Sequence, residues 1–158
     1  MKKRVDSTMN NKVIRFIIRF FSTGFFIGNI PGAPGTYGSI LALILLYYFS
    51  IFNNIYIILS LIIFGVLISY LEEKYSGVED DPSVVIDEIV GMFITFIAIN
   101  MTPLNIILGF SFFRLFDIWK PYIIDDAQDF SGGIGVMADD ILAGFFANFI
   151  MKMLFFLI

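Results

Sequence analysis

The sequence predicts an all-α protein: a polytopic transmembrane helical bundle with an N-terminal amphipathic helix lying in the membrane interface. Three observations lead there. Of 158 residues, 58% are hydrophobic and only 15% charged, against roughly 45–50% and about 25% in a soluble domain. No charged residue occurs from Phe20 to Leu71 or from Ile89 to Phe113, and after Asp140 the only charge is Lys152. A bilayer crossing needs roughly 17–25 mostly apolar residues, so these stretches have the length of spans. Six of the ten Lys and Arg residues fall within the first nineteen positions, which by the positive-inside rule puts that end in the cytoplasm.

The elements follow in chain order. At about 100° per residue, Lys12, Arg15, Arg19, Ser22 and Thr23 share one arc of a helix whose remainder is Val13, Ile14, Phe16, Ile17, Ile18 and Phe20. That is the pattern of a helix with its basic side on lipid headgroups. The glycine- and proline-rich stretch 28–38 is expected to break it as a loop. Spans are then expected at 39–52, 55–71, 85–99, 104–118 and 139–158, with turns at Asn53-Asn54 and 100–103 and polar stretches at 72–83 and 119–138. At this length the chain is expected to form one membrane domain over 1–158, with 1–30 as its basic interfacial segment. Threaded from a cytoplasmic start, the glycine loop, Asp87-Glu88, the segment 114–120 and Asp139-Asp140 all reach the cytoplasmic face.

The chain contains neither cysteine nor histidine. Thiolate and imidazole nucleophiles, bases and metal ligands are therefore excluded, and chemistry falls to carboxylates, Lys, Arg, hydroxyls and backbone. Asp87-Glu88 and Asp139-Asp140 each open an apolar stretch, and small residues follow one turn later: Gly91 after the first pair, Ala143 and Gly144 after the second. Small residues let a neighbouring helix approach closely. Carboxylates near the bilayer need a compensating partner, and an all-oxygen cluster suits Mg²⁺. Arg114, Asp117 and Lys120 lie three apart on one helix; they suit a phosphate beside a metal ion, or else form a self-neutralised ladder. Pro34-Gly35-Thr36-Tyr37-Gly38-Ser39, before the first span, presents backbone N–H groups to an anion, with Thr36, Gly38 and Ser39 as the candidate phosphate contacts, or merely breaks and caps a helix. Asp125-Asp126-Ala127-Gln128-Asp129 spells a lone D-D-x-x-D, the pattern of some prenyl-transferring enzymes.

Four blocks in order, PGTYGS at 34–39, DEIVG at 87–91, RLFDIWKP at 114–121 and GGIGVMADDILAG at 132–144, resemble the phosphatidylglycerophosphatase A family of bacterial membrane enzymes. The resemblance covers 34–144. It implies hydrolysis of the terminal phosphate of phosphatidylglycerophosphate with Mg²⁺, in phospholipid biosynthesis at the bacterial cytoplasmic membrane. The family's second proline and basic residue after the K-P element are missing: Tyr122, Ile123, Ile124, Asp125 and Asp126 stand there.

On this reading Asp87, Glu88, Asp139 and Asp140 hold one or two Mg²⁺ ions, and Asp117 is a further ligand or the general base. Arg114 and Lys120 bind phosphate oxygens with Thr36, Gly38 and Ser39, and Lys120 stabilises charge building in the transition state. The partner expected is a phospholipid and not nucleic acid; oligomeric state is open. A prenyl- or alcohol-phosphate transferase and an ion-conducting subunit are the alternatives, and phosphate release separates both from a phosphatase.

Overall fold

The structure is a computed structural model that describes residues 2–79, 81–121, 124 and 132–157. Its described residues form six α-helices and two 3-10 turns: α1 (Lys2–Ser22), α2 (Pro34–Tyr48), α3 (Ile55–Ser76), α4 (Ile86–Thr95), α5 (Pro103–Trp119) and α6 (Gly133–Leu157), with turns at Ile27–Asn29 and Ser50–Asn53. The all-α expectation holds. The helix ends follow from local chemistry. Asn54 caps α3 by accepting from the Tyr56 N–H at 2.9 Å, and Gly77, at φ 74°, closes it. Thr102 caps α5 by accepting from the Asn105 N–H at 3.2 Å, and Pro103 supplies the first helical position.

Helix α4 is the hub. Nine of its ten residues are buried, and it packs against α2, α3, α5 and α6. Its polypeptide runs away from the acidic layer, as do α2 and α6, while α3 and α5 run towards it. At the far end, the Ala98 N–H donates to Asn53 Oδ1, joining the turn expected at Asn53-Asn54 to the residues just ahead of the one expected at 100–103. A helix that stops inside a bundle exposes carbonyls with no water to satisfy them. Asn148 on α6 answers this: its amide donates to Thr95 O at 2.8 Å and to Ile97 O at 3.0 Å.

Three expectations need correction. The stretch 28–38 is not one loop, because helix α2 already begins at Pro34 and carries PGTYGS in its first turns; proline is favoured at that first position. The spans expected at 39–52, 85–99 and 104–118 are helices of 15, 10 and 17 residues, at or below the lower limit of a straight crossing. Helices α3 and α6 are long and apolar enough to cross a membrane. Finally, Arg19, Ser22 and Thr23 do not face headgroups. Ser22 and Thr23 are fully buried, and Arg19 is bound to Glu72, Asp81, Asn29 and Ser83. The arc points inwards there because α1 docks on the end of α3, where Arg15 also lies 5.8 Å from the Tyr75 ring centre. Val13, Phe16, Ile17 and Phe21 stay exposed, an apolar face suited to lipid.

Burial pushes the Asp81 carboxyl up, but hydrogen bonds from Ser83 and Arg19 outweigh it and hold the group below the ordinary carboxylate range. With the folded value below the unfolded one, the stabilisation is complete above the unfolded value and lost as pH falls through the folded one, below about pH 4. Thermal unfolding in detergent is therefore expected to show an acid limb that flattens in Asp81→Asn. An unchanged limb would assign acid sensitivity to other carboxylates.

A Cβ at Gly91 would meet Phe113 Cε2 at 2.6 Å and Asp140 O at 2.7 Å. Gly91→Ala is accordingly expected to destabilise the bundle by about 1–3 kcal/mol, as overpacking does. Denaturation in detergent measures this, and a neutral effect would mean that the α4–α6 crossing is slack.

Candidate active site

The acids meet because two glycines meet. Gly144 on α6 lies against the backbone of Gly91 on α4, so close that a Cβ on Gly144 would strike the Gly91 carbonyl oxygen. No larger residue permits that approach. Each glycine lies one turn after its acid, four residues beyond Asp87 and four beyond Asp140, so the crossing sets those carboxylates side by side. Carboxylate oxygens of Asp87, Glu88 and Asp140 lie within 4.8 Å of one another.

The basic groups arrive from α5. Arg114 forms an ion pair with Asp117 one turn on. Lys120 leaves the expected three-residue ladder. It caps α5 in the left-handed region, at φ 43°, and its ammonium reaches Asp139 Oδ2 on α6 at 2.6 Å. Partial burial pulls the Lys120 ammonium down, but the Asp139 hydrogen bond outweighs it and raises the group above its ordinary value. Lys120 thus stays a charged donor at neutral pH.

These groups line a cavity of about 610 Å³, to which Glu73, Glu79 and Asp81 also contribute; among the described residues Arg114 and Lys120 are the basic groups of its wall, and Asp81 is paired with Arg19 from outside it. Glu88 Oε2, Asp139 Oδ1 and Asp140 Oδ1 are buried and have no hydrogen-bond partner. An uncompensated buried carboxylate costs several kcal/mol. A divalent cation is the group that satisfies several at once, and oxygen-only ligands suit a hard ion. The acidic cluster therefore fits a metal ion.

The structure brings together Asp87, Glu88, Arg114, Asp117, Lys120, Asp139 and Asp140, all named from the sequence. It does not bring Thr36, Gly38 and Ser39 to the cavity wall. Ser39 is buried inside α2 with its hydroxyl donating to Gly35 O at 2.8 Å, and Gly38 serves contact with Val85, whose Cβ lies 2.8 Å from where a Gly38 Cβ would sit. Gly35 takes their place. A Cβ there would collide with Glu88 Oε1 and lie 3.1 Å from Arg114 Nη1, so the bare N-terminal turn of α2 adjoins the acids. Gly35 belongs to the PGTYGS segment that the sequence offers for anion contact, whereas Glu79 and Asp81 carry no such signal and Glu73 reads only as the polar end of a span. The segment 125–129, with its D-D-x-x-D, lies outside the described residues.

An all-helical bundle with two membrane-length helices and a buried cluster of acids beside Arg and Lys defines a class: membrane proteins with an acidic centre that fits a cation, set beside basic groups. The comparisons sharpen it, for residues 20–155 match phosphatidylglycerophosphatase A, and the chain belongs to that family. It is 36% identical over 129 residues to phosphatidylglycerophosphatase A of Escherichia coli, covering 78% of this chain and 74% of that one. With the Haemophilus influenzae phosphatidylglycerophosphatase A it is 39% identical over 139 residues, 82% and 83% of the two chains. A Bacteroides thetaiotaomicron protein carrying the provisional name phosphatidylinositol-3-phosphatase is 36% identical over 146 residues, 84% of this chain and 89% of the other. No solved structure matches the chain.

If Asp87, Glu88 and Asp140 are direct ligands, Asp140→Asn is expected to weaken Mn²⁺ binding at least about tenfold, since even outer partners of a metal site are worth roughly 10–100-fold. Asp139→Asn should weaken it less, because Lys120 already occupies one Asp139 oxygen. Mn²⁺ titration followed by electron paramagnetic resonance in detergent measures both; a larger effect at Asp139 would move the ion towards Lys120.

Proposed function

We propose that the chain hydrolyses phosphatidylglycerophosphate to phosphatidylglycerol and inorganic phosphate, in the bacterial cytoplasmic membrane, as one membrane-embedded domain over 1–158 with its site on the cytoplasmic face. Membership of the family and the names of the E. coli and H. influenzae relatives support the reaction. The concentration of basic residues in the first nineteen positions supports the orientation. One observation carries the chemistry: three buried, unpartnered carboxylate oxygens share a cavity with Arg114 and Lys120.

Asp87, Glu88 and Asp140 would hold Mg²⁺, with Asp139 beside them. When bound, a divalent ion neutralises phosphate charge and lowers the pKa of an attacking water. The chain's own residues do the rest. Arg114 and Lys120 donate to the non-bridging phosphate oxygens and stabilise the charge that grows on them in the transition state. Asp139, paired with Lys120, holds that ammonium in place. Asp117 takes a proton from the water as its oxygen bonds to phosphorus. The bond from phosphorus to the headgroup glycerol oxygen breaks, and that oxygen takes up the proton that Asp117 accepted, leaving as the new hydroxyl of phosphatidylglycerol. The acyl chains hold the lipid at the level of the cavity, which supplies part of the positioning.

The B. thetaiotaomicron relative's name favours a second reading, in which the phosphate sits on an inositol headgroup. Phosphate release in mixed micelles distinguishes them. Phosphatidylglycerophosphate is expected to react far faster than glycerol phosphate or phosphatidic acid, and activity should vanish with chelator and return with Mg²⁺. Lys120→Ala is expected to cost about 100-fold or more in kcat, as removal of a transition-state donor does. Faster release from phosphatidylinositol 3-phosphate would favour the second reading, and full activity in excess chelator would remove the metal from the mechanism.

A further inference from the structure

Arg19 lies in the interfacial helix and is not part of the cavity wall, yet it is the most heavily bonded side chain among the described residues. Its Nη1 donates to Glu72 Oε1 at 2.8 Å and to Asp81 Oδ2 at 2.9 Å; its Nη2 donates to Asn29 Oδ1 at 3.0 Å and to Ser83 Oγ at 2.9 Å. Four acceptors from three parts of the chain converge on one guanidinium. Two of them, Asp81 and Ser83, belong to the segment that enters α4, and Asp81 Oδ1 locks that segment further by accepting from the Ser83 N–H and hydroxyl.

Beyond Ser83 the grip continues. The Val85 N–H donates to Ser22 O at 2.8 Å, tying the residue before α4 to the last turn of α1. Gly28 packs so closely that a Cβ there would overlap Ser83 O, and one on Gly24 would lie 3.0 Å from Val85 Cγ2. Two residues after Val85 comes Asp87. The chain has no slack between the Arg19 clamp and the acids, because Val84, Val85 and Ile86 are all buried.

We infer that Arg19 is a positioning residue: through Asp81, Ser83 and Val85 it sets the placement of Asp87 and Glu88, and so couples the interfacial helix to the acid cluster. The inference rests on the proposed phosphatase reading for its activity arm and on geometry alone for its binding arm. Only a planar fork can serve four acceptors at once; a lysine keeps the charge and loses the fork. Small displacements of reacting groups cost up to about 100-fold in rate.

The test uses Arg19→Lys in the full-length chain, with Mn²⁺ affinity, kcat, KM and melting temperature measured in detergent and mixed micelles. Weaker Mn²⁺ binding by about tenfold and kcat down about tenfold or more, with KM unchanged, is the expected result. Unchanged Mn²⁺ affinity and kcat in a folded variant would overturn the inference, even if melting fell, because a purely structural clamp lowers melting alone. A rise in KM alone would also overturn it and assign Arg19 to headgroup binding. Should Arg19→Lys fail to fold, Ser83→Ala, which removes one acceptor, carries the same comparison. If the unsubstituted protein binds Mn²⁺ in an Arg19-dependent manner but releases no phosphate from lipids, the activity reading fails and the positioning role stands.

Discussion

The close crossing of α4 and α6 at Gly91 and Gly144 is the constraint on which the rest depends. Two backbones can touch only where neither carries a side chain, and that contact fixes both the separation and the register of the helices. With the register fixed, acids one turn earlier on each helix have nowhere to go but towards each other. Phe113 closes over Gly91 from α5, so the helix that supplies Arg114 and Asp117 is keyed to the same point. Packing alone thus holds the acids together.

Holding them together is costly, and the surroundings show how the cost is limited. Asp139 is matched by Lys120 and Asp117 by Arg114, whereas the oxygens of Glu88, Asp139 and Asp140 that face no protein donor share a cavity open enough for water and ions. The left-handed turn at Lys120 matters here. Ending α5 at Trp119 frees the ammonium to cross to α6 instead of lying along its own helix.

Much of this was legible in the sequence. Charge-free stretches announced a membrane bundle, and acids followed by glycines one turn later announced a crossing. The seven charged residues of the site were named because charge is scarce here and every instance stands out. What escaped was less visible for physical reasons. Proline at the first position of α2 and proline in a loop have the same composition, so PGTYGS resembles a loop although it forms the first turns of a helix. The polar arc of α1 fits headgroups and buried acceptors equally well, and only tertiary contact with Glu72, Asp81 and Ser83 decides that Arg19 turns inwards. Helix lengths below a full crossing were hidden because apolar residues continue through the turns that end them.

The early stop of α4 has one more implication. Beneath the acid layer lie Val90, Met92, Phe93, Ile94 and Phe96, all buried to within 1% of full exclusion from solvent. The polar groups at that depth, Thr95 and Asn148, have donor hydrogens committed to backbone carbonyls. Among the described residues such a floor offers no chain of free donors and acceptors along which a proton could hop. In the membrane orientation proposed above, the acidic chamber would exchange water and ions with one compartment while the apolar layer insulates it from the other. A cell that keeps a voltage across this membrane could carry many copies of the protein without short-circuiting it.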